Sequence, residues 1–174
     1  MSLNGLLEKS PATLPILQAT FGLERESLRI GKDHRIAQTD HPACLGSRSF
    51  HPYIQTDYSE AQLELITPIA HSTKEALRFL GALTDVAGRS IDKSEYLWPL
   101  SIPPKLCEKD IHIAKLEDDY ERHYRKHLAD IYGKTLQSMS GIHFNMELGK
   151  DLVAALFHRS LAERQADLSG NGFR

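Results

Sequence analysis

The stretch Tyr53-Ile-Gln-Thr-Asp-Tyr-Ser-Glu-Ala-Gln-Leu-Glu-Leu-Ile-Thr-Pro68 sets three acids, Asp57, Glu60 and Glu64, around a segment that closes as an apolar strand. From Gln62 to Thr67 the side chains alternate, so Gln62, Glu64 and Ile66 share a face, and Pro68, which cannot donate to a ladder, ends the run. Phe21-Gly-Leu-Glu-Arg-Glu-Ser-Leu-Arg-Ile30 follows the same rule, with Gly22, Glu24, Glu26 and Leu28 on one face. A third strand, Gly141 to Leu148, sets Ile142, Phe144, Met146 and Leu148 against His143, Asn145 and Glu147.

Helices separate these strands. Ser72-Thr-Lys-Glu75 is a capping-box pattern, and Ala76, Leu77, Leu80, Leu83, Ala87 and Ile91 follow at helical spacing to about Lys93. Leu116, Tyr120, Tyr124, Leu128 and Ile131 form the stripe of a second helix that Gly133 ends. Asp151 to Ala166 reads as a last amphipathic helix, and Leu14 to Thr20 as a short one. Gly31 to His34 is a turn that returns Arg35 to Ala37 as a hairpin partner, His41 to Pro52 is loop, and Trp98 to Pro104 is an extended, proline-stiffened connection. Strands and helices do not alternate as regular βαβ units, so the expected class is α+β, with a mainly antiparallel sheet and flanking helices.

The chain of 174 residues is long enough for one domain with a core, and 41% hydrophobic with 25% charged residues is the balance of an ordinary globular protein. A net charge of −2 gives no bulk electrostatic reason to expect a nucleic-acid partner. No apolar run approaches the roughly 18 residues of a membrane helix, and Met1 to Lys9 does not read as a signal peptide. Two cysteines, Cys44 and Cys107, form no metal or disulfide pattern, which fits a cytoplasmic protein. P-loop, GxGxxG and zinc CxxC motifs are lacking.

Glu24 and Glu26, Glu64 with Asp57 before it, and His143 with Asn145 and Glu147 would make one acidic sheet face if their strands were neighbours. Carboxylates gathered so closely repel each other unless cations stand among them, and an oxygen-rich set with one histidine suits Mg²⁺ or Mn²⁺ better than zinc. The ordinary reading of such acids is a solvated sheet face. Tyr124 and Arg125 offer a guanidinium that pairs bidentately with carboxylates, although the surrounding run Arg122 to His127 also reads as a solvated basic face.

Residues 21–30, Gln55 to Pro68, Tyr96 to Pro103 and Ser140 to Asn145 resemble, in that order, the motifs of glutamate–cysteine ligases, most closely the N-terminal part of the bifunctional bacterial glutathione enzymes. The resemblance runs from about Leu14 to about Phe157. It implies a glutamine-synthetase-like curved sheet with metals on its concave face, and the ATP- and Mg²⁺-dependent joining of the L-glutamate γ-carboxyl to L-cysteine through a γ-glutamyl phosphate, the first step of glutathione biosynthesis. It further implies Glu24, Glu26, Asp57, Glu64 and His143 as metal residues. Tyr58 would line the cysteine pocket, Tyr124 and Asn145 would lie near substrates, and Arg125 would hold a carboxylate or the transferred phosphoryl group. Glu60 receives no role. Family members are far longer, and residues 160–174 fit the pattern poorly, so the expectation is the N-terminal part of a ligase domain, inactive alone and prone to self-association. The alternatives are a related carboxylate–amine ligase with another amine substrate, and a non-enzymatic fragment that binds metal or a partner chain.

Overall fold

A computed structural model describes residues 19–151 and, beyond them, residues 153, 154, 157, 158, 161 and 162, all helical. Of the expected helix Leu14 to Thr20, residues 14–18 lie outside the described residues, as does the tail after 162, and Thr20 belongs to a strand instead. The chain divides into two compact units, one spanning Phe21–Asn145 and the other made of Met1–Thr20 with Met146–Arg174. In the smaller unit, Thr20 Oγ1 donates to Glu147 Oε2 at 3.4 Å, and residues 150 and 151 begin the helical stretch.

Five strands form the sheet: β1 (Thr20–Gly31), β2 (Ile54–Thr56), β3 (Gln62–Ile66), β4 (Glu95–Leu97) and β5 (Ile142–Glu147). The order is β2-β3-β1-β4, and β5 also pairs with β1. The β1–β3, β1–β4 and β2–β3 pairs are antiparallel, as the α+β expectation requires. Strands β2 and β4 were not read from the sequence. Each is three residues long, too short to show a period. The expected return of Arg35 to Ala37 is a single bridge, Ile30 to Ile36, closed by Gly31 N–H on Arg35 O at 2.8 Å.

Helix α1 (Thr73–Ser90) starts at Ser72, whose hydroxyl accepts the Glu75 N–H at 3.1 Å. Glu75 reaches back to the His71 N–H at 2.8 Å, one residue earlier than a standard capping box. Ala87 is buried with Leu80, Leu83 and Ile91 against Ile54, Leu63 and Leu65 of the sheet, while Ala76, Phe79 and Leu80 cover Leu23. Leu77 departs from the expected stripe, since it points into solvent and is 62% exposed. Helix α2 (Asp119–Tyr132) is capped by Asp118 and stops at Gly133, whose φ of 77° favours glycine. Leu116, expected on this helix, is instead buried just before it, and Tyr120, Tyr124 and Ile131 are exposed. Only Leu128 and Ala129 of α2 pack on the second core cluster, built from Leu28, Ile30, Tyr58, Ala61 and Ile111. The four-residue helix α3 (Lys134–Gln137) follows directly.

Alternation thus gives each strand an α1 side and an opposite side. Leu23 and Ser27 of β1, with Leu63 and Leu65 of β3, turn to α1, and Glu24, Glu26 and Glu64 take the opposite side. Leu63→Ala is expected to lower stability by about 3 kcal/mol through lost burial and a residual cavity, whereas Leu77→Ala should change it by under about 0.5 kcal/mol. Urea-unfolding midpoints of the two variants check this, and equal losses would contradict the sidedness of α1.

Candidate functional site

The register places Glu26 opposite Glu64 and Leu28 opposite Gln62 across β1 and β3, and Gln55 of β2 opposite Glu64. Residues at the start of β5 reach the same face. The Glu26 N–H donates to Gly141 O at 3.0 Å, and the Gly141 N–H donates to Glu26 Oε2 at 2.9 Å. His143 Nε2 lies 3.4 Å from Glu26 Oε1, and Asn145 Nδ2 donates to Glu24 Oε1 at 2.9 Å. Gln62, fully buried, donates its amide to Glu26 Oε2 and to Met139 O, both at 3.3 Å. Its amide oxygen has no partner.

Asp57 enters from the β2–β3 loop. Burial raises its carboxyl above the ordinary range and the Glu26 charge adds to this, while the Tyr58 N–H and Arg125 oppose it. Glu64 is pushed up to about 7, first by burial, then by the charges of Asp57, Glu24 and Glu26, with His143 acting the other way. These mutual effects make the five groups one electrostatic unit. Among the described residues, however, no three His, Cys, Asp or Glu side chains stand close enough together to form a metal cluster.

Beside the acids lies a hollow of about 310 Å³ lined by Glu26, Asp57, Tyr58, Glu121, Tyr124, Arg125, Leu128, Leu136, Gln137 and Met139. The sequence reading found half of this lining. It missed Glu121, Leu128 in this capacity, and the 136–139 segment, which comes into place only through the turn at Gly133. Arg125 Nε donates to Asp57 O at 3.1 Å and Nη1 to Glu121 Oε2 at 2.6 Å, so the guanidinium is held at the hollow's wall. The Tyr58 ring is buried in the core, its hydroxyl has no hydrogen-bond partner, and burial raises its pKa. Glu60 does not join the acids. Its carboxylate accepts the His41 and Lys115 N–H groups and pairs with Arg48.

The family model for glutamate-cysteine ligase matches residues 5–173. The chain belongs to the glutamate-cysteine ligase family. Among curated relatives, it is 66% identical over 161 residues to the glutathione biosynthesis bifunctional protein GshAB of Streptococcus mutans, covering 92% of this chain and 21% of that protein. The Pasteurella multocida GshAB is 41% identical over 174 residues, covering 97% of this chain and 23% of the relative. Among solved structures, a bifunctional glutathione synthetase from Pasteurella multocida superposes with a TM-score of 0.77 at 45% identity, over 82% of this chain and 19% of its own. The Francisella tularensis glutamate–cysteine ligase, solved in complex with AMP, gives 0.80 at 32% identity, over 83% and 30%. This member of the glutamate-cysteine ligase family therefore spans about a fifth of the length of the curated relatives it matches. No helix among the described residues is long and apolar enough to cross a membrane.

The raised Glu64 carboxyl has a measurable consequence for stability. A folded-state pKa above the ordinary 4.5 means that folding favours the protonated form. This contribution is complete below pH 4.5 and is lost as pH rises to about 7. Glu64→Gln stays neutral throughout. It is expected to match the parent chain at pH 4 and to exceed its stability at pH 8 by about 1–2 kcal/mol, the partial exposure of the group reducing the full linkage value. Urea titrations at the two pH values, without divalent cations, check this.

Proposed function

We propose that these residues form one wall of the active site of a ligase that joins the γ-carboxyl of L-glutamate to the amino group of L-cysteine at the expense of ATP, the first step of glutathione biosynthesis. The observation that carries this is geometric: Glu24, Glu26, Glu64 and His143 meet on one sheet face, and the hollow that Asp57, Tyr58, Tyr124 and Arg125 share opens beside them. Family membership supplies the chemistry, and the Francisella tularensis ligase, solved in complex with AMP, supports an adenine nucleotide as a substrate.

The donor set suits a hard divalent cation. Its atoms are mainly carboxylate oxygens, and the burial that raises Asp57 and Glu64 would be offset by positive charge among them. Glu24, Glu26, Asp57, Glu64 and His143 would hold Mg²⁺ or Mn²⁺, whose charge neutralises phosphate oxygens of ATP.

The chain's own groups do the rest. In the proposed reaction the glutamate γ-carboxylate attacks the terminal phosphorus of ATP and ADP leaves. The cysteine amine then attacks the acyl carbon of the γ-glutamyl phosphate, and phosphate departs as the amide forms. Arg125, held by Asp57 O and Glu121, provides a fixed positive charge for a substrate carboxylate or the transferring phosphoryl group. Tyr58 borders the hollow, and its buried hydroxyl, which has no hydrogen-bond partner, is a polar group that a bound amino acid such as cysteine could meet. Tyr124 lines the same hollow. Asn145, through Glu24, orients a carboxylate of the face.

A second reading, a non-enzymatic chain that binds metal or a partner chain without turnover, is favoured in its partner-chain form by β5, where the apolar Ile142 and Phe144 are 66% and 54% exposed. Phosphate release from Mg²⁺-ATP separates the two readings. In a polypeptide carrying these residues at the length of the relatives, release should require both L-glutamate and L-cysteine. Arg125→Lys should lower kcat by at least about tenfold, since a point charge replaces a fixed fork, and Glu64→Gln should abolish turnover. Full turnover in Glu64→Gln would remove Glu64 from the site, and release with another amine but not with cysteine would reassign the acceptor.

A further inference from the structure

Glu60 lies in the same loop as Asp57 and Tyr58 yet points away from the acidic face, and all four of its polar atoms are engaged. Its N–H donates to His112 O at 2.8 Å, and its carbonyl accepts Arg29 Nη2 at 2.9 Å. Oε1 accepts the His41 N–H at 2.9 Å together with the Arg48 guanidinium, and Oε2 accepts the Lys115 N–H at 2.8 Å. The residue is 5% exposed. A carboxylate that receives backbone N–H groups from two separate segments ties three pieces of chain together. An antiparallel bridge between Ser59 and Ile113, with the Ala114 N–H on Tyr58 O at 3.0 Å, already joins the β2–β3 loop to the 112–115 segment, and the Glu60 carboxylate adds the loop after β1, through His41, to that pair.

The chemistry of this tie is narrow. Two N–H donors on two oxygens require two acceptors. Glutamine has one acceptor oxygen, and its NH₂ would face an N–H group, while aspartate keeps both oxygens but is one methylene too short to span the same gap. The charge is met by Arg48, so the carboxylate is neither a free acid nor a candidate ligand for a cation.

We propose that Glu60 is a positioning residue for the cation and substrate wall. By clamping the β2–β3 loop to the chain at His41 and Lys115, it sets where Asp57 and Tyr58 stand, without itself touching a ligand. The functional consequence rests on the cation-binding role proposed above. Outer groups that orient metal ligands commonly change affinity by about 10–100-fold when removed.

The test compares the 174-residue chain with Glu60→Gln and Glu60→Asp, the latter keeping the charge that faces Arg48 so that at least one variant folds. Two readouts are taken on each: the Mn²⁺ dissociation constant from the free-ion resonance signal, and native-state amide exchange. Both variants should bind Mn²⁺ at least about tenfold more weakly. The amides of Asp57, Glu60 and Ala114, bonded to Gln62, His112 and Tyr58 oxygens, should exchange faster, while Ile66, bonded to Tyr53 O, exchanges as before. Exchange that quickens equally at Ile66 would mean general destabilisation and overturn the proposal, as would unchanged Mn²⁺ affinity in a folded variant. If the parent chain binds no Mn²⁺, the cation reading fails on its own, and the clamp stands or falls by the exchange pattern alone.

Discussion

Strand β1 has three neighbours, and its antiparallel register with β3 governs the rest of the structure. With Glu26 opposite Glu64, the period of two sends every acid of both strands to one side and Leu23, Leu63 and Leu65 to the other. A slip of one residue would turn Leu63 and Leu65 from α1 and drive Glu64 into the apolar layer, at the cost of burying an unpaired charge. The hydrophobic packing of α1 therefore fixes the register, and the register in turn gathers the acids. Stability comes from one face of the sheet and the candidate chemistry from the other.

That division has an electrostatic cost. Burial first, then neighbouring carboxylates, hold Asp57 and Glu64 above their ordinary range: Glu26 acts on Asp57, and Asp57, Glu24 and Glu26 act on Glu64. An arrangement that opposes its own ionisation is weak as scaffolding and useful as a receptor for positive charge. Glu60 is the contrast within the same loop, an acid whose every oxygen is answered by N–H groups and by Arg48. Two acids three positions apart thus stand in opposite surroundings, Glu60 paired with a guanidinium and Asp57 raised by burial beside Glu26.

Much of the site was legible because strand alternation is a local rule. The facing of Glu24 with Glu26, of Gln62 with Glu64, and of His143 with Asn145 follows from spacing alone, and the structure brings these sets together. What escaped depended on contacts distant in sequence. Nothing near Glu60 announces that His41 and Lys115 will bind it. Leu136 and Met139 have no pattern that places them beside Asp57 and Arg125 in one hollow. Leu77 and Tyr120 fit apolar stripes by spacing yet face solvent, because α1 and α2 present only part of their surface to the sheet.

The sequence by itself determined the longer elements β1, β3, β5, α1 and α2, the side of those strands on which the acids fall, and, through four ordered motifs, the ligase family. These are short-range properties, set by backbone periodicity and by residue order. Tertiary structure alone decided that β1 should be shared by β3, β4 and β5, so that acids far apart in sequence feel one another's charge. It also decided that Glu64 titrates near neutrality while Glu60 is neutralised by a guanidinium, since both outcomes depend on burial and on partners that only the folded chain supplies.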